Sequence, residues 1–410
     1  MKFFENGDGI TEPRGFFGSG VHCDVKGTRD GKLDLGIIYS KRACSAAGVF
    51  TTNDVKAAPV TYCQGILAEK GATFHGVVAN SGNANACTGP QGEADTKKMA
   101  SEVARHLGVH SKEILVFSTG RIGVLLPMIK ITAGIRAATD DIIREFDGAR
   151  AFQEAILTSD TCTKSCSAKI EATIGEITVG GVVKGAGMIE PNMGTMLSYI
   201  FTDANVDGTL LKSLLIDATK NSFNSITVDG ETSTSDTVML ISTNEASHDM
   251  ISKANDPRIN LFRNALNDVA TDLAKQIVQD GEGATKFVEI IVSGAKNKDI
   301  ATNIAKSVAN SPLVKTAIYG EDPNWGRVIA AIGKSYEEIN HEALGLFFGE
   351  HKIISGGMAL DNYNEEIVKQ YMKKDEIQII IDLGMGSCDH TVWTCDFSHK
   401  YIDINTDYRS

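Results

Sequence analysis

Residues 184–197 of the chain, KGAGMIEPNMGTML, hold the strongest signal for both fold class and chemistry. They place Thr195 directly after Gly194, in a run of small residues that permits strained backbone conformations. A threonine hydroxyl in this position can attack the preceding carbonyl, shift the acyl group from nitrogen to oxygen, and let water complete a cleavage. Thr195 would then begin a new chain, with an α-amino base of reference pKa about 7.7–8.0 beside its hydroxyl. The competing interpretation is an ordinary helix-cap or strand threonine.

The sequence around this stretch predicts a mixed α/β chain. Alternating apolar residues over 169–179, broken at Gly175-Glu176, predict a hairpin that leads directly into it. Apolar spacing and turn residues further predict strands at 36–39, 76–80, 114–117, 288–292, 378–382 and 401–405, and helices at 93–107, 210–222, 257–279 and 300–309. We place a loose domain boundary near residue 281, which divides the chain into domains of residues 1–280 and 281–410.

Composition excludes several classes of protein. With 410 residues, of which 42% are hydrophobic and 22% charged, the chain can bury a large core. A net charge of -12 opposes general binding to nucleic acid or anionic membranes, because both would be repelled. The N-terminus has no apolar segment, and no apolar run approaches the roughly 18 residues of a bilayer span. We therefore expect a cytoplasmic protein with its eight cysteines reduced.

Four residues near the C-terminus have the types that bind metals. Cys388, His390, Cys395 and His399 occur at short spacing, but they lack the paired C-x2-C signature of zinc sites. We expect strand and turn residues here, and no metal.

Two further motifs carry candidate chemistry. Ser118-Thr119-Gly120 follows a predicted strand and can present fixed donors to an oxyanion, although a tight turn is the simpler interpretation. Residues 280–286, DGEGATK, fit neither the P-loop nor the dinucleotide-binding spacing, so nucleotide-dependent chemistry is not expected. Glu282, flanked by glycines, is instead a carboxylate that could approach an ammonium group, or else a solvated helix end.

The order of these motifs resembles the glutamate N-acetyltransferases, also called ornithine acetyltransferases, of arginine biosynthesis. The resemblance covers nearly the whole chain through segments 45–53, 79–86, 118–120, 184–197, 226–230, 280–286, 322–327 and 404–408. It implies an ornithine acetyltransferase or aminopeptidase-like fold, a layered αββα sandwich that spans the cleavage site. A second, smaller α+β domain would follow, with its C-terminal tail returning to the active site.

The resemblance also implies specific roles for residues. The chain would cut itself between Gly194 and Thr195 into an α chain (1–194) and a β chain (from 195) that stay together, usually as an α2β2 heterotetramer. Thr195 would be the nucleophile, and Thr119 and Gly120 the oxyanion hole. The implied substrate-binding positions are Thr161, Lys184, Thr195, Glu282, Asn405 and Ser410. Lys184 would pair with the α-carboxylate of the substrate, and Glu282 with an ammonium group.

The implied reaction is a ping-pong transfer of acetyl from N2-acetylornithine to glutamate through acetyl-Thr195, with no metal or nucleotide cofactor. Some family members also use acetyl-CoA as donor, and the sequence is consistent with either case. Two other readings compete: an N-terminal-nucleophile aminopeptidase or amidase of the same architecture, and an unprocessed scaffold without activity.

Three positions depart from the family pattern. Gly194 stands where alanine is more common, Ser410 replaces the commoner threonine, and the charged Arg121 follows the oxyanion segment. None of these departures removes an atom that the chemistry needs.

Overall fold

A computed structural model of the chain describes residues 1–5, 7–28, 30–172, 175–190 and 196–407. The strands in these ranges are β1 Lys2–Glu5, β2 Phe16–Val21, β3 Leu35–Phe50, β4 Phe74–Asn80, β5 Ile114–Ser118, β6 Lys164–Ala172, β7 Gly175–Lys184, β8 Leu197–Thr202, β9 Thr237–Ser242, β10 Phe287–Ala295, β11 Gly345–Phe348, β12 His351–Ser355, β13 Met358–Ala359, β14 Glu376–Asp382 and β15 Cys388–Cys395. The α-helices are α1 Ala58–Leu67, α2 Gly89–Leu107, α3 Met128–Asp140, α4 Phe146–Ala155, α5 Gly208–Asn221, α6 Pro257–Gln279, α7 Lys298–Ala309, α8 Pro312–Tyr319, α9 Trp325–Gly333, α10 Glu365–Tyr371 and α11 His399–Asp407.

The first sheet runs in the order β1-β6-β7-β8-β9-β3-β4-β5, with β2 also paired to β3. The long strand β3 belongs to both halves of this sheet, because its first part pairs with β4 and its residues 45–50 pair with β9. Aromatic residues from the two halves meet in one buried core, where the rings of Phe117 and Tyr199 lie 5.2 Å apart. Helices α2 and α3 cover one outer face, and α5 and α6 cover the other. The predicted αββα sandwich is confirmed.

A second sheet lies in the C-terminal part of the chain, in the order β13-β12-β11-β14-β10-β15. Its core gathers residues between Val288 and Val392, including apolar residues of α7, α8 and α9. Strand β15 also contributes Trp393 and Cys395 to the core beneath α5 and α6. The division near residue 281 stays a prediction. Among the described helices, none combines the length and the apolar character that a membrane span requires.

The helix predicted at 257–279 forms with those bounds as α6. Its start is fixed by Asp256, whose side chain accepts a hydrogen bond from the Arg258 backbone, and by Pro257 in the first turn. The helix α2 begins four residues earlier than predicted and ends where expected, at Gly108, which has a positive φ of 71°.

The strand predicted at 401–405 is wrong, because these residues belong to helix α11. The alternation of apolar and polar residues over this short run suits a strand, but the residue before the helix overrides it. The Ser398 hydroxyl accepts a hydrogen bond from the Lys400 backbone (3.2 Å), which initiates a helix. As a result Tyr401 and Asn405 lie one turn apart, on the same side of α11.

Several strand ends meet at one edge of the first sheet. Strand β7 ends at Lys184, which pairs with Leu197 at the start of β8. Strands β8 and β9 are parallel and pair Leu197 with Thr237, so both begin at this same edge. Loops at strand ends are where sites commonly lie.

Candidate active site

A pocket of about 680 Å³, including its open mouth, lies at this edge. Of the predicted site residues, Thr119, Gly120, Lys184, Glu282 and Asn405 line it. The other described residues around it are Ala84, Ile122, Thr158, Ser159, Gly187, Met188, Met196, Leu197, Ser233, Thr234, Ser235 and Asp236. The predicted nucleophile Thr195, its neighbour Gly194 and the C-terminal Ser410 lie outside the described residues. Met196, to which Thr195 is bonded, lines the pocket.

The loop after β5 brings Thr119 and Gly120 to the pocket. The backbone N–H of Thr119 donates to the Asn80 carbonyl (3.0 Å), so the Thr119 donor for an oxyanion is its hydroxyl. Gly120 has a φ of 129°, and a Cβ there would lie 2.4 Å from the backbone carbon of Gly82. Glycine is therefore required at this position.

The asparagine-rich segment after β4 braces this loop from behind. Asn80 accepts a hydrogen bond from the Ser118 hydroxyl (2.7 Å) and donates to the Asn83 carbonyl (2.9 Å). Asn83 in turn donates to the Val124 carbonyl (3.0 Å). The asparagine side chains of this segment thus satisfy backbone groups of the loops around the pocket.

Lys184 brings a buried cation to the pocket. Its residue is 7% exposed, and its Nζ donates to the Thr158 hydroxyl (2.8 Å) and lies 3.9 Å from Asp160. Burial lowers the pKa of Lys184, although the charge of Asp160 opposes this effect. Burial alone would raise the pKa of Asp160, but the charges of Lys184 and Lys164 hold it well below its usual range. The carboxylate of Asp160 therefore stabilises the positive charge that Lys184 brings to the pocket.

Glu282 brings a carboxylate to the same pocket. It is 7% exposed, and its backbone N–H donates to the Ala186 carbonyl (2.9 Å). The Asn405 amide donates to its carboxylate (2.8 Å). A Cβ on Gly187 would lie 2.3 Å from that carboxylate, so the chain can approach Glu282 this closely only with glycine there. Helix α11 thereby holds Glu282 against the segment that follows Lys184.

Thr161 lies apart from the other predicted residues. It is exposed, and its backbone N–H and hydroxyl both donate to Asp280. It lines a neighbouring cavity, which shares Thr158 with the pocket described above. Its role as a substrate contact stays a prediction.

Sequence reasoning missed several pocket residues, of which Asp236 is the most buried acid. It is 1% exposed and follows the hydroxyl-rich run Ser233-Thr234-Ser235, just before β9. A polar run that enters a wholly buried strand is a signal that could have drawn attention to it. Its carboxyl accepts a local hydrogen bond from the Ser233 N–H (3.0 Å), but its backbone carbonyl is held by Thr51, which no local spacing reveals.

Three of the four candidate metal ligands near the C-terminus contact different neighbours. Cys395 approaches the Lys315 ammonium, His390 contacts the Ser225 hydroxyl, and His399 contacts Tyr319. Across the described ranges, no group of three or more His, Cys, Asp and Glu residues is placed to hold a metal.

The described pocket has one cation, two carboxylates and several hydroxyl groups, beside the start of a central strand. Together with the αββα layers, a polar pocket at the strand ends is typical of an α/β enzyme that acts on a small charged molecule.

Within that class, the chain belongs to the ArgJ family, whose sequence profile matches residues 18–410. It is 44% identical over 402 residues to the "Arginine biosynthesis bifunctional protein ArgJ" of Thermotoga neapolitana, covering 97% of this chain and 99% of the relative. The protein of the same name from Oceanobacillus iheyensis is 42% identical over 410 residues, with 100% and 98% covered. The family predicted from the motifs is confirmed.

A solved structure is also similar to this chain. It is the arginine biosynthesis bifunctional protein argJ of Bacillus halodurans, with a TM-score of 0.51 and 40% identity. The match covers 52% of this chain and 100% of the matched chain.

Proposed function

We propose that the pocket transfers an acetyl group from N2-acetylornithine to glutamate through Thr195, as a glutamate N-acetyltransferase of arginine biosynthesis. The printed name of the relatives from Thermotoga neapolitana and Oceanobacillus iheyensis supports the pathway. The similarity extends over at least 97% of the chain, so it includes both predicted domains.

The observation that carries this proposal is that Lys184 and Glu282 line the same pocket. Both side chains are largely buried, and each is held by a fixed polar neighbour. An amino-acid derivative has a carboxylate and an ammonium group, and a buried cation and a buried carboxylate suit these two charges. A pocket for an apolar amide substrate would need neither a buried cation nor a buried carboxylate for binding.

The transfer follows from the chemistry of Thr195 and its surroundings. The hydroxyl of Thr195 attacks the acetyl carbonyl, while the α-amino group of the same residue takes the proton. Donors at Thr119 and Gly120 stabilise the tetrahedral oxyanion. Ornithine departs with that proton and leaves an acetyl ester, which the amine of glutamate then attacks. Two steps with a covalent intermediate replace one difficult amide exchange.

Self-cleavage between Gly194 and Thr195 must precede this chemistry. The matched chain of the Bacillus halodurans structure has about half the length of this one, as either predicted half would. On a denaturing gel we expect two bands in place of one of 43.9 kDa, and a single band for Thr195→Ala. A wild-type chain that stays whole would favour the unprocessed scaffold.

In the competing hypothesis, a hydrolase, water rather than glutamate accepts the acetyl group. Purified protein incubated with N2-acetylornithine and glutamate should form N-acetylglutamate, and should release little acetate when glutamate is left out. Acetate release without any N-acetylglutamate would overturn the transferase proposal.

We extend the proposal to acetyl-CoA as a second donor, because the relatives are named bifunctional. Formation of free CoA and N-acetylglutamate from acetyl-CoA and glutamate tests this extension. The α2β2 assembly and the cytoplasmic location stay predictions.

A further inference from the structure

A buried group of charges lies behind the pocket. Lys164, at the start of β6, is 1% exposed, and its Nζ donates to the carboxylates of Asp160 (2.8 Å) and Asp280 (2.5 Å). None of these three residues lines the pocket that holds Lys184 and Glu282. They would therefore affect a ligand in that pocket only through the residues that they hold.

Asp160 connects Lys164 to the cation of the pocket. Its carboxylate accepts a hydrogen bond from the Gly185 N–H (2.6 Å), directly after Lys184 in the chain, and lies 3.9 Å from the Lys184 ammonium. It also accepts from the Thr158 N–H (3.1 Å), and the Thr158 hydroxyl in turn accepts from Lys184 (2.8 Å). A shift of Asp160 would thus disturb both the backbone and the side-chain contacts of Lys184.

Asp280 connects Lys164 to the carboxylate of the pocket. It follows the last residue of α6 and precedes Glu282 by two positions. Its carboxylate also accepts a hydrogen bond from the Thr161 N–H (3.0 Å), so it holds the loop 158–161 against the end of α6. Lys164 therefore links the contacts that support Lys184 to the segment that leads into Glu282.

The charges in this group balance, because two lysines, Lys164 and Lys184, lie among two aspartates, Asp160 and Asp280. Burial opposes the charge of Lys164, but the two aspartates raise its pKa above the ordinary value, so it remains a cation. Apolar residues of similar size often replace a buried ion pair without loss of stability. Stability thus explains this network poorly, and its directed hydrogen bonds explain it better as a means of fixing positions.

We propose that Lys164 is a positioning residue, which sets the separation between Lys184 and Glu282 and thereby the length of substrate that the pocket accepts. This rests on the proposed function, in which Lys184 binds the α-carboxylate of N2-acetylornithine and Glu282 binds its ammonium group. A fixed number of methylene groups joins these two charges in the substrate. The separation of their two partners therefore selects the length of the side chain.

The test compares N2-acetylornithine with N2-acetyllysine, which has the same charged groups and one more methylene, as donors to glutamate. One methylene changes kcat/KM by about 10- to 200-fold in a pocket that fits its ligand, so the wild type should prefer N2-acetylornithine by at least about 10-fold. Lys164→Met combined with Asp280→Asn removes one charge of each sign and leaves Lys184 paired with Asp160. We expect the preference of this double variant to fall to about threefold or less.

The matched control lies at the other end of α6, where Arg258 pairs with Asp256. Arg258→Met combined with Asp256→Asn makes the same change in charge, and neither residue lines the pocket. Asparagine also caps helices well, so α6 should keep its start. The preference of this control for N2-acetylornithine should equal that of the wild type.

The ratio of kcat/KM for the two donors separates positioning from general support of the fold. A weakened fold would lower both values by the same factor and leave their ratio unchanged. Asp280→Asn alone loosens the same link with little change in shape, so it should shift the ratio in the same direction even if the double variant does not fold.

Two results would overturn the role of Lys164 and leave the proposed function intact. One is a wild type that uses both donors equally well, and the other is a set of Lys164 and Asp280 variants that keep the wild-type ratio. A wild type that transfers acetyl from neither donor would overturn the proposed function as well.

Discussion

At the scale of single residues, the pocket depends on how closely the backbone can approach charged groups. Lys184 and Glu282 are both largely buried, and each has its own polar support. Burial of a charge is costly unless it is compensated, so these supports make the charges available to a ligand. Glycines permit the approach where a side chain would block it.

Substituting Gly187 tests this close approach. In Gly187→Ala the added Cβ would lie 2.3 Å from the Glu282 carboxylate and would displace it. We expect KM for N2-acetylornithine to rise by roughly tenfold, which corresponds to a loss of about 1.4 kcal/mol in binding. Gly65→Ala is the control, because a Cβ there meets nothing within 4 Å. Equal KM values for the two variants would contradict this account of Glu282.

Titration of Lys184 gives a second prediction at this scale. Because burial lowers the pKa of Lys184, its positive charge is lost at a lower pH than the ~10.4 of free lysine. We expect KM for N2-acetylornithine to rise as pH increases through that lowered pKa. Lys184→Arg keeps its charge over the whole range, so its KM should be higher but flatter with pH. If KM rises with pH in the same way for both enzymes, the cause is titration of the substrate and not of Lys184.

At the scale of secondary-structure elements, helix α11 is the one for which the sequence predicts a strand instead, and its start can be tested by mutation. The Ser398 hydroxyl caps the helix and also donates to the Gly283 carbonyl (2.6 Å), next to Glu282. Ser398→Ala should cost about 1 kcal/mol of stability and raise KM several-fold, since Asn405 loses its fixed position. Asn297→Ala removes the cap of α7, outside the pocket, and should lower stability with KM unchanged. Thermal melts and steady-state kinetics measure both effects.

The elements also show what a sequence can predict. Helix α6 was predicted with its observed bounds because its cap, Asp256, its first-turn proline and its apolar spacing are all local signals. Helix α11 was missed because its short run of residues alternates like a strand, and its partners, Asp229 and Glu282, are more than 100 residues away.

The same distinction applies to the site. Gly120 and Glu282 stand in recognisable glycine-containing motifs, and both line the pocket. Asp236 was overlooked because it lies in no recognisable motif, and Thr51, which binds its backbone carbonyl, meets it only in the folded sheet. Residues that act through non-local contacts leave little trace in the spacing of a single sequence.

At the scale of the whole molecule, strand β15 joins the second sheet to the segment 225–227 in the first part of the chain. His390 on this strand contacts the Ser225 hydroxyl (3.2 Å), which belongs to the first part of the chain. Burial, together with the charges of Lys298 and Lys306, lowers the pKa of His390 to about 4. The folded protein therefore keeps this histidine neutral over a range in which an unfolded chain protonates it.

This histidine predicts sensitivity of the fold to acid. An unfolded histidine has a pKa of about 6.5, so the unfolded state binds more protons than the folded state between about pH 6.5 and 4. Stability should thus fall as pH decreases through this window. His390→Gln cannot take up the proton and should lose less stability, as measured by urea denaturation at several pH values. Identical pH dependence in the two proteins would show that other groups cause the loss.

The strand order of the first sheet has a consequence for a cut chain. Strands β8 and β9 lie between β7 and β3, so the segment after Thr195 is inserted between strands of the segment before it. A protein cut at this junction consists of two interwoven polypeptides, and its refolding becomes a second-order reaction. Dilution should slow the recovery of cleaved protein from denaturant but leave Thr195→Ala unaffected. Once cut, the native protein would persist while its two chains stay folded together, but it would form again only slowly after they separate.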